Sequence, residues 1–498
     1  MLHRGKVVLL SNLRPTAESK SAGSSERSMP SMTVDKTMWV QRAKVLALYV
    51  LVVLVVASIG VLLEAKPAHA KTFTVDSTGD ALDVSPPNGI CDVDPRVFVS
   101  QCTLREAIEE ANSTTQNPGE DTINFNIPPS SCNARSGVCT ISPASALPNI
   151  TETVTIDGYT QRPCSTNPAP CSRPNNSTVG TNAKLLIQLN GANTSSSFGL
   201  SIIGTSNSLV RGLVINRFFT AIFIDADSTF TPSTNNRIVG NFLGTDPGGM
   251  LDRGNLLNGV SIEDSNDNTV GGTTRAARNL ISGNGQHGVG VQGSGNQVLG
   301  NLIGTKKDGT TALGNSQNGV TFYRGPNTLG DDSAGGSNVI AFSGQNGVVS
   351  YNIGSYGNAI LRNSIFSNGE LGIDLGGDGR TPNDAGDGDD GPNHFQNFPV
   401  LSSAQTVGAT TTIEARLNST PSTAFVVRFY SNPPDDNEGR RYLGQTTVNT
   451  LASGNTGTFS FTPTNAVAVG QRITATATTD AGGDTSEFSG PREVTGAR

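Results

Sequence analysis

Four aspartates form the densest acidic cluster of the chain, at Asp384, Asp387, Asp389 and Asp390. Clustered carboxylates are the ligands that hard cations such as calcium prefer. The spacing is not that of an EF-hand, because position 12 counted from Asp387 is Phe398, where that loop requires Glu. These four residues are therefore candidate calcium ligands, and the other interpretation is a flexible acidic turn that binds no ion.

Three other charged residues, Asp246, Lys306 and Arg324, are the candidates for catalysis. A polysaccharide lyase needs acidic side chains and a basic group that removes a proton. An inverting glycosidase needs two carboxyl groups with room for a water molecule between them. The sequence supplies neither set in a recognisable spacing. We therefore expect a protein without catalytic activity or an organic cofactor, with a polysaccharide lyase or glycoside hydrolase as the alternative.

Two tyrosines and one histidine complete the set of residues that could contact a sugar. Tyr323 and Tyr351 each offer an aromatic face on which a sugar ring can stack. His287 is an isolated imidazole whose equivalent in a later repeat is Asn346. That equivalence favours a polar turn residue over a proton-transfer group. These residues indicate contact with a polysaccharide or cell-surface glycan more than chemistry on it.

The six cysteines all lie between positions 91 and 171 and fall into three close pairs. An even number of cysteines in an exported segment indicates disulfide bonds. Pairing between neighbours is the simplest of about 15 connectivities, and free buried thiols are the alternative. The predicted bonds join Cys91 to Cys102, Cys132 to Cys139, and Cys164 to Cys171.

The elements that position these residues form a repeat. Residues 237–260 and 297–320 align without a gap at an offset of 60, and Gly and Asn recur at the same places in both. Asn and Gly tolerate the left-handed backbone conformation of sharp corners. The short apolar stretches between them are typical of buried strands. The period predicts a solenoid with three coils of about 20 residues per repeat and with stacked asparagines at its corners.

One segment ahead of the repeats has a helical pattern. Thr103 and Glu106 are spaced as a capping box, and Leu104, Ala107 and Ile108 recur on one apolar helical face. A single amphipathic helix in front of many strands predicts a cover for the open end of the solenoid.

These patterns carry two resemblances. The segment CTLREAI, residues 102–108, resembles the CSLREA-type N-terminal region of secreted and surface bacterial proteins over about residues 71–130. The repeats resemble the right-handed parallel β-helix of the pectin-lyase-like superfamily over about residues 150–400. The first resemblance implies export and a following β-helix, the second implies the β-helix fold, and neither implies a particular activity. The alternating strands after residue 401 predict an immunoglobulin-like β-sandwich.

The N-terminal region predicts export. Residues 45–63 are uncharged and apolar, follow two basic residues and precede Ala68-His69-Ala70, a small-x-small cleavage signal. We expect cleavage after Ala70 and a secreted or cell-surface protein. A retained membrane anchor at residues 45–63 is the alternative, because 19 apolar residues are enough to span a bilayer.

The net charge bears on the class of partner, and the composition bears on the fold class. The chain has a formal net charge of −7, and because an acidic body does not attract phosphate backbones, we expect no nucleic-acid partner. With 58 glycines and 5% aromatic residues, the composition suits stacked short strands rather than helical domains. The predicted order is an export segment at 1–70, a capping region at 71–130, a parallel β-helix at 131–400 and a sandwich at 401–498. The predicted function is structural, adhesive or glycan-binding.

Overall fold

The computed structural model describes residues 70–83, 88–91, 101–113, 120–194, 196–480 and 483–496. These residues belong to one compact unit. The predicted export segment and its cleavage signal as far as His69 lie outside the described residues. Among the residues that are described, no helix is long and apolar enough to cross a membrane.

Three long parallel sheets form a β-helix, because each coil contributes one strand to each sheet in turn. Strands are numbered in chain order. Sheet 1 has nine strands: β1 Thr72–Val75, β2 Asp121–Phe125, β4 Val154–Asp157, β7 Leu209–Arg211, β10 Arg237–Val239, β13 Thr269–Gly271, β16 Gln297–Leu299, β19 Thr328–Leu329 and β22 Ala359–Ile360. Sheet 2 has eight: β3 Cys139–Ile141, β5 Ile187–Asn190, β8 Leu213–Asn216, β11 Phe242–Leu243, β14 Leu280–Ile281, β17 Leu302–Ile303, β20 Val339–Ala341 and β23 Ser364–Phe366. Sheet 3 has seven: β6 Leu200–Ile203, β9 Ile222–Asp225, β12 Val260–Glu263, β15 Val289–Gln292, β18 Val320–Phe322, β21 Val348–Ser350 and β24 Ile373–Leu375.

The coils are longer than the sequence period predicted. In sheet 1, Arg237 pairs with Thr269, and Thr269 pairs with Gln297. The 60-residue repeat therefore spans two coils, of 32 and 28 residues. Each coil is long because it carries three strands and the three turns between them. The predicted all-β parallel β-helix is confirmed, and the predicted length of one coil is wrong.

Asparagine side chains stack along the corners of the β-helix. In one corner, the backbone N–H of Asn236 donates to the Oδ1 of Asn268 at 3.0 Å. The N–H of Asn268 donates to Asn296 at 2.9 Å, and that of Asn296 to Asn327 at 3.0 Å. Each rung satisfies a buried turn N–H that no strand partner reaches. The predicted structural role of the repeated asparagines follows from this ladder, while Val, Ile and Leu side chains fill the interior.

The helix expected ahead of the repeats is present as α1, Leu104–Ala111. Thr103 Oγ1 accepts the N–H of Glu106 at 3.2 Å, and Glu106 Oε2 accepts the N–H of Thr103 at 2.7 Å, which is the predicted capping box. The apolar face of α1 joins the interior core at the β1 end. Short 3₁₀ turns occupy Pro129–Ser131, Gly158–Thr160, Gly191–Asn193, Arg275–Ala277 and Pro392–Phe395.

The three disulfide bonds join neighbouring cysteines as predicted, and no described cysteine is free. One of them, Cys164–Cys171, closes a loop in the excursion between β4 and β5. Part of this excursion lies on the outside of sheet 2, where Tyr159 and Ala183 pack on the outward side chains of Val214, Phe242, Leu280 and Leu302. The excursion therefore covers an apolar outer face that would otherwise meet water.

Two mainly antiparallel four-stranded sheets enclose a second core at the C-terminus. One sheet contains β25 Val400–Val407, β26 Thr410–Asn418, β29 Asn455–Phe461 and β32 Thr495–Gly496. The other contains β27 Ala424–Asn432, β28 Arg441–Asn449, β30 Arg472–Thr479 and β31 Arg492–Glu493. The predicted antiparallel sheets are confirmed, and their immunoglobulin-like assignment stays a prediction. We call this part the C-terminal module.

The C-terminal module caps the open end of the β-helix. The last strand of each sheet ends on it: the N–H of Ile360 donates to Thr485 Oγ1 at 2.9 Å, Ile365 pairs with Gly439, and the N–H of Leu375 donates to Glu487 Oε1 at 3.1 Å. Tyr430 and Phe488 of the module belong to the core of the β-helix. Unpaired strand edges recruit other chains, so the module completes the β-helix as a structural element.

Candidate functional site

The outer face of sheet 3 carries polar side chains at one strand position in five successive coils. The register pairs Glu263 with Gln292. Asp225 directly follows Ile224, the last residue of the previous coil that pairs with β12, and Tyr323 and Tyr351 directly follow the last paired residues of the next two coils, Phe322 and Ser350. Because neighbouring strands lie about 4.8 Å apart, these groups form a regular ladder. We call these five residues the sheet-3 row.

The sheet-3 row points outward because strand side chains alternate between the two faces of a sheet. The residues that precede three of its members, Ile224, Ile262 and Val291, are fully buried in the interior. The members of the row are themselves partly exposed. The row is therefore accessible to a ligand, and the buried side chains that precede its members fix its backbone.

The two carboxyl groups of the row have perturbed acidity. Burial raises the pKa of Asp225 and of Glu263 above their ordinary values, and the nearby charge of Asp264 raises both further. The hydroxyl of Ser261 donates to Glu263 Oε1 at 3.2 Å and opposes the rise. A raised pKa favours the protonated form of a carboxyl group, which is the form that can donate a hydrogen bond to a ligand or act as an acid.

Tyr323 and Tyr351 stack on each other, with ring centroids 5.9 Å apart and planes at 23°. A Cβ added at Gly377 would lie 2.1 Å from the Tyr351 ring, so this ring also packs against the turn after β24. A sugar ring would therefore meet the edges and hydroxyl groups of this pair instead of the shared faces. Stacking of a sugar ring on Tyr323 or Tyr351 stays a prediction.

His287 replaces one rung of an asparagine ladder beside the sheet-3 row. Its backbone N–H donates to Asn258 Oδ1 at 3.1 Å, and its Nδ1 accepts the N–H of Asn318 at 3.4 Å. Because Nδ1 is an acceptor, the neutral ring carries its proton on Nε2, which lies 3.3 Å from the hydroxyl of Tyr323. Burial lowers the pKa of His287 to about 4. The ring therefore stays neutral and holds the tyrosine in place.

The three predicted catalytic candidates do not share a site. Arg324 lies beside the sheet-3 row and pairs with Asp264 at 2.6 Å. Asp246 and Lys306 follow strands β11 and β17 of sheet 2, two coils apart. The carboxylate of Asp246 accepts three backbone N–H groups of its own turn. Asp246 therefore stabilises a turn, and Arg324 is the candidate that lies near the row.

The structure brings together three of the four aspartates of the predicted calcium site. One carboxylate oxygen from each of Asp384, Asp387 and Asp389 lies within 4.8 Å of the others. The carboxylate of Asp390 instead accepts the hydroxyl of Tyr356 at 2.8 Å. Burial raises the pKa of Asp387 to about 6, and the nearby charge of Asp384 raises it further.

The residues present fit a calcium ion in part. Calcium takes six to eight oxygen ligands, and three carboxylates supply the charged portion of such a shell. Asp387 has a second role, because its Oδ1 accepts the N–H of Asn397 at 2.7 Å and its Oδ2 accepts the hydroxyl of Ser419 at 2.9 Å. The loop therefore ties the β-helix to the C-terminal module through hydrogen bonds of its own.

Reading the sequence alone missed Asp225 and Glu263. The signal that could have found them is their common place at the end of two apolar strands, in the segments AIFID and GVSIE. That signal becomes visible only when the coil length is known, because the two strands belong to adjacent coils that differ in length.

No family model matches the sequence, and no curated protein matches it.

Proposed function

We propose that the chain is an extracellular or cell-surface β-helix protein that binds a neutral glycan along the sheet-3 row. The observation that carries this proposal is the row itself, with polar groups at one strand position in five consecutive coils. A polymer with a repeating unit can meet such a ladder with a similar contact at each unit. Solenoid proteins use their extended surfaces for binding in this way.

The charge of the face favours a neutral ligand. Asp225, Glu263 and Asp264 are acidic, and the positive charge of Arg324 is compensated by its bond to Asp264. An acidic polysaccharide would be repelled by these carboxylates. The hydroxyl groups of a neutral sugar can instead bond to the carboxyl oxygens, to the amide of Gln292 and to the tyrosine hydroxyls.

The disulfide bonds support an extracellular location. Three of them lie between residues 91 and 171, and disulfide bonds persist in oxidising compartments. The predicted export segment and its cleavage signal agree with this location.

A carbohydrate-active enzyme is the second candidate. The observation that favours it is the raised pKa of Glu263 beside Asp225, which lies at the same position of the adjacent strand. Glycoside hydrolysis uses one carboxyl group as a proton donor and a second as a base or nucleophile. Glu263 would be the proton donor in such a site, and Asp225 the second group.

A glycan panel with a parallel assay for new reducing ends tests both candidates. The exported protein would be incubated with neutral, amino-sugar and uronic-acid polysaccharides. Retention of a neutral glycan without new reducing ends supports the binding function. New reducing ends that the wild type produces, and that neither Glu263→Gln nor Asp225→Asn produces, would support the enzyme instead. Retention of uronic-acid polymers only, or of none, contradicts both.

A further inference from the structure

The residue that follows the predicted cleavage signal is held by three bonds at the start of sheet 1. The carbonyl of Lys71 accepts the N–H of Thr122 at 2.8 Å, and its Nζ donates to the carbonyl of Gly89 at 3.1 Å. The backbone N–H of Lys71 donates to Asp121 Oδ1 at 2.7 Å. Ala70, one residue earlier, is exposed. Strand β1 therefore begins at Thr72, two residues after Ala70, the last residue of the predicted cleavage signal.

The buried carboxylate of Asp121 has only part of its hydrogen-bonding capacity satisfied. Its side chain has no exposed area, and its Oδ2 is buried without a hydrogen-bond partner. Burial raises the pKa of Asp121, and the hydrogen bond and the charge of Lys71 only partly oppose this rise. The Lys71 side-chain ammonium donates elsewhere, to Gly89. A buried carboxylate is costly unless a cation and further donors complete its surroundings.

We propose that cleavage between Ala70 and Lys71 completes this site, because the new α-ammonium group of Lys71 forms a buried ion pair with Asp121. In the cleavage, an endopeptidase of the export machinery adds water across the peptide bond. The carbonyl carbon of Ala70 gains the oxygen and leaves as a carboxylate. The nitrogen of Lys71 gains protons and becomes an ammonium group. Its three N–H bonds can serve Oδ1 and Oδ2 of Asp121 together.

The ion pair makes maturation a stabilising step. Before cleavage, the nitrogen of Lys71 is a neutral amide with one N–H, and Asp121 lacks a charged partner on that side. After cleavage, the chain end is fixed to β2 at the first rung of sheet 1, next to the capping helix. This inference rests on the export part of the proposed function and is independent of what the sheet-3 row binds.

The test uses the full chain expressed in an exporting host. Mass spectrometry of the exported product is expected to find Lys71 as its first residue, and a different first residue would overturn the proposal. The α-amine would then be labelled under native conditions with an amine-reactive reagent and quantified by peptide mapping. A buried ion pair that raises the pKa of the amine by one unit slows labelling about tenfold. Asp121→Asn should restore fast labelling and lower the melting temperature.

The matched control is Glu120→Gln, which removes the same charge from an exposed neighbour and should label as slowly as the wild type. Equal labelling rates in the wild type and Asp121→Asn would overturn the proposal. If Asp121→Asn does not fold, a Gly-Ser insertion between Ala70 and Lys71 leaves Asp121 intact and keeps a peptide bond at Lys71. This form should melt below the wild type, and an unchanged melting temperature would overturn the ion pair.

Discussion

The carboxylate of Glu487 accepts the backbone N–H of Leu375 at 3.1 Å, so a side chain of the C-terminal module terminates the last strand of sheet 3. Its other oxygen accepts the N–H of Thr381 at 3.1 Å. Glu438 does the same at another corner, where its two oxygens accept the backbone N–H and the side-chain N–H of Asn368 at 2.8 and 2.7 Å. Two buried glutamates thus accept N–H groups at the end of the β-helix, where no further coil follows.

Removing one of these caps should destabilise the whole β-helix. In Glu487→Ala, the N–H groups of Leu375 and Thr381 lose their partner, and each unsatisfied buried donor costs about 1–3 kcal/mol. We expect the free energy of unfolding in denaturant, measured at about pH 5, where the glutamate contributes most, to fall by about 2–4 kcal/mol. Glu493→Ala, at an exposed position of β31, is the control and should change it little. A fall of the same size in both variants would contradict the capping role.

The same glutamates should make stability depend on pH. Burial raises the pKa of Glu438 and of Glu487 to about 7, from an ordinary value of 4.5. A raised pKa in the folded state means that their contribution is complete below about pH 4.5 and is lost as the pH rises through about 7. We expect the free energy of unfolding to decrease between about pH 5 and pH 8, with a smaller decrease in Glu438→Gln. Identical pH profiles for the two proteins would rule this out.

His287 should have the opposite pH dependence. Because burial lowers its pKa to about 4, the unfolded chain binds a proton more readily, and the histidine destabilises the fold as the pH falls below about 6.5. His287→Asn restores an asparagine rung. Relative to the wild type, it should gain roughly 1–3 kcal/mol on going from pH 7.5 to pH 4.5. His287→Ala should instead lose stability at pH 7.5, because it leaves the N–H of Asn318 without an acceptor. A constant difference between wild type and His287→Asn across this range would refute the assignment.

Calcium binding at the acidic loop stays a prediction, and melting curves with calcium and with a chelator test it. We expect calcium to raise the melting temperature, since binding to the folded state alone stabilises it. Asp389→Asn should abolish the difference between the two curves. Asp390→Asn, which alters the neighbour bonded to Tyr356, should retain it. If the melting curves of the wild type with calcium and with a chelator coincide, the predicted calcium site is wrong.

Local features were predictable from the sequence because their causes are local. The capping box of α1 depends on Thr103 and Glu106 three residues apart, and both of its bonds form. The disulfide bonds join cysteines separated by 11 or 7 residues. The recurring Gly and Asn residues predicted a solenoid, because sharp corners and buried turns require those residue types.

Long-range features were not predictable from the sequence. The predicted length of one coil was wrong because alternate coils resemble each other in sequence more than adjacent coils do. The pairing of Arg237 with Thr269 shows the length of one coil. The cap depends on Glu487 reaching Leu375, 112 residues away. The sheet-3 row likewise requires the register between coils of unequal length.

Calorimetric titration of the best neutral glycan into matched glutamine variants determines whether the ligand binds along the sheet-3 row. Gln292 belongs to the sheet-3 row, and Gln297 begins the next strand, β16, on the outer face of sheet 1. If the glycan binds along the row, Gln292→Ala should weaken binding by about 1 kcal/mol, roughly fivefold, and Gln297→Ala should bind as the wild type does. Wild-type affinity in Gln292→Ala together with weaker binding in Gln297→Ala would place the ligand on another face and contradict binding along the sheet-3 row.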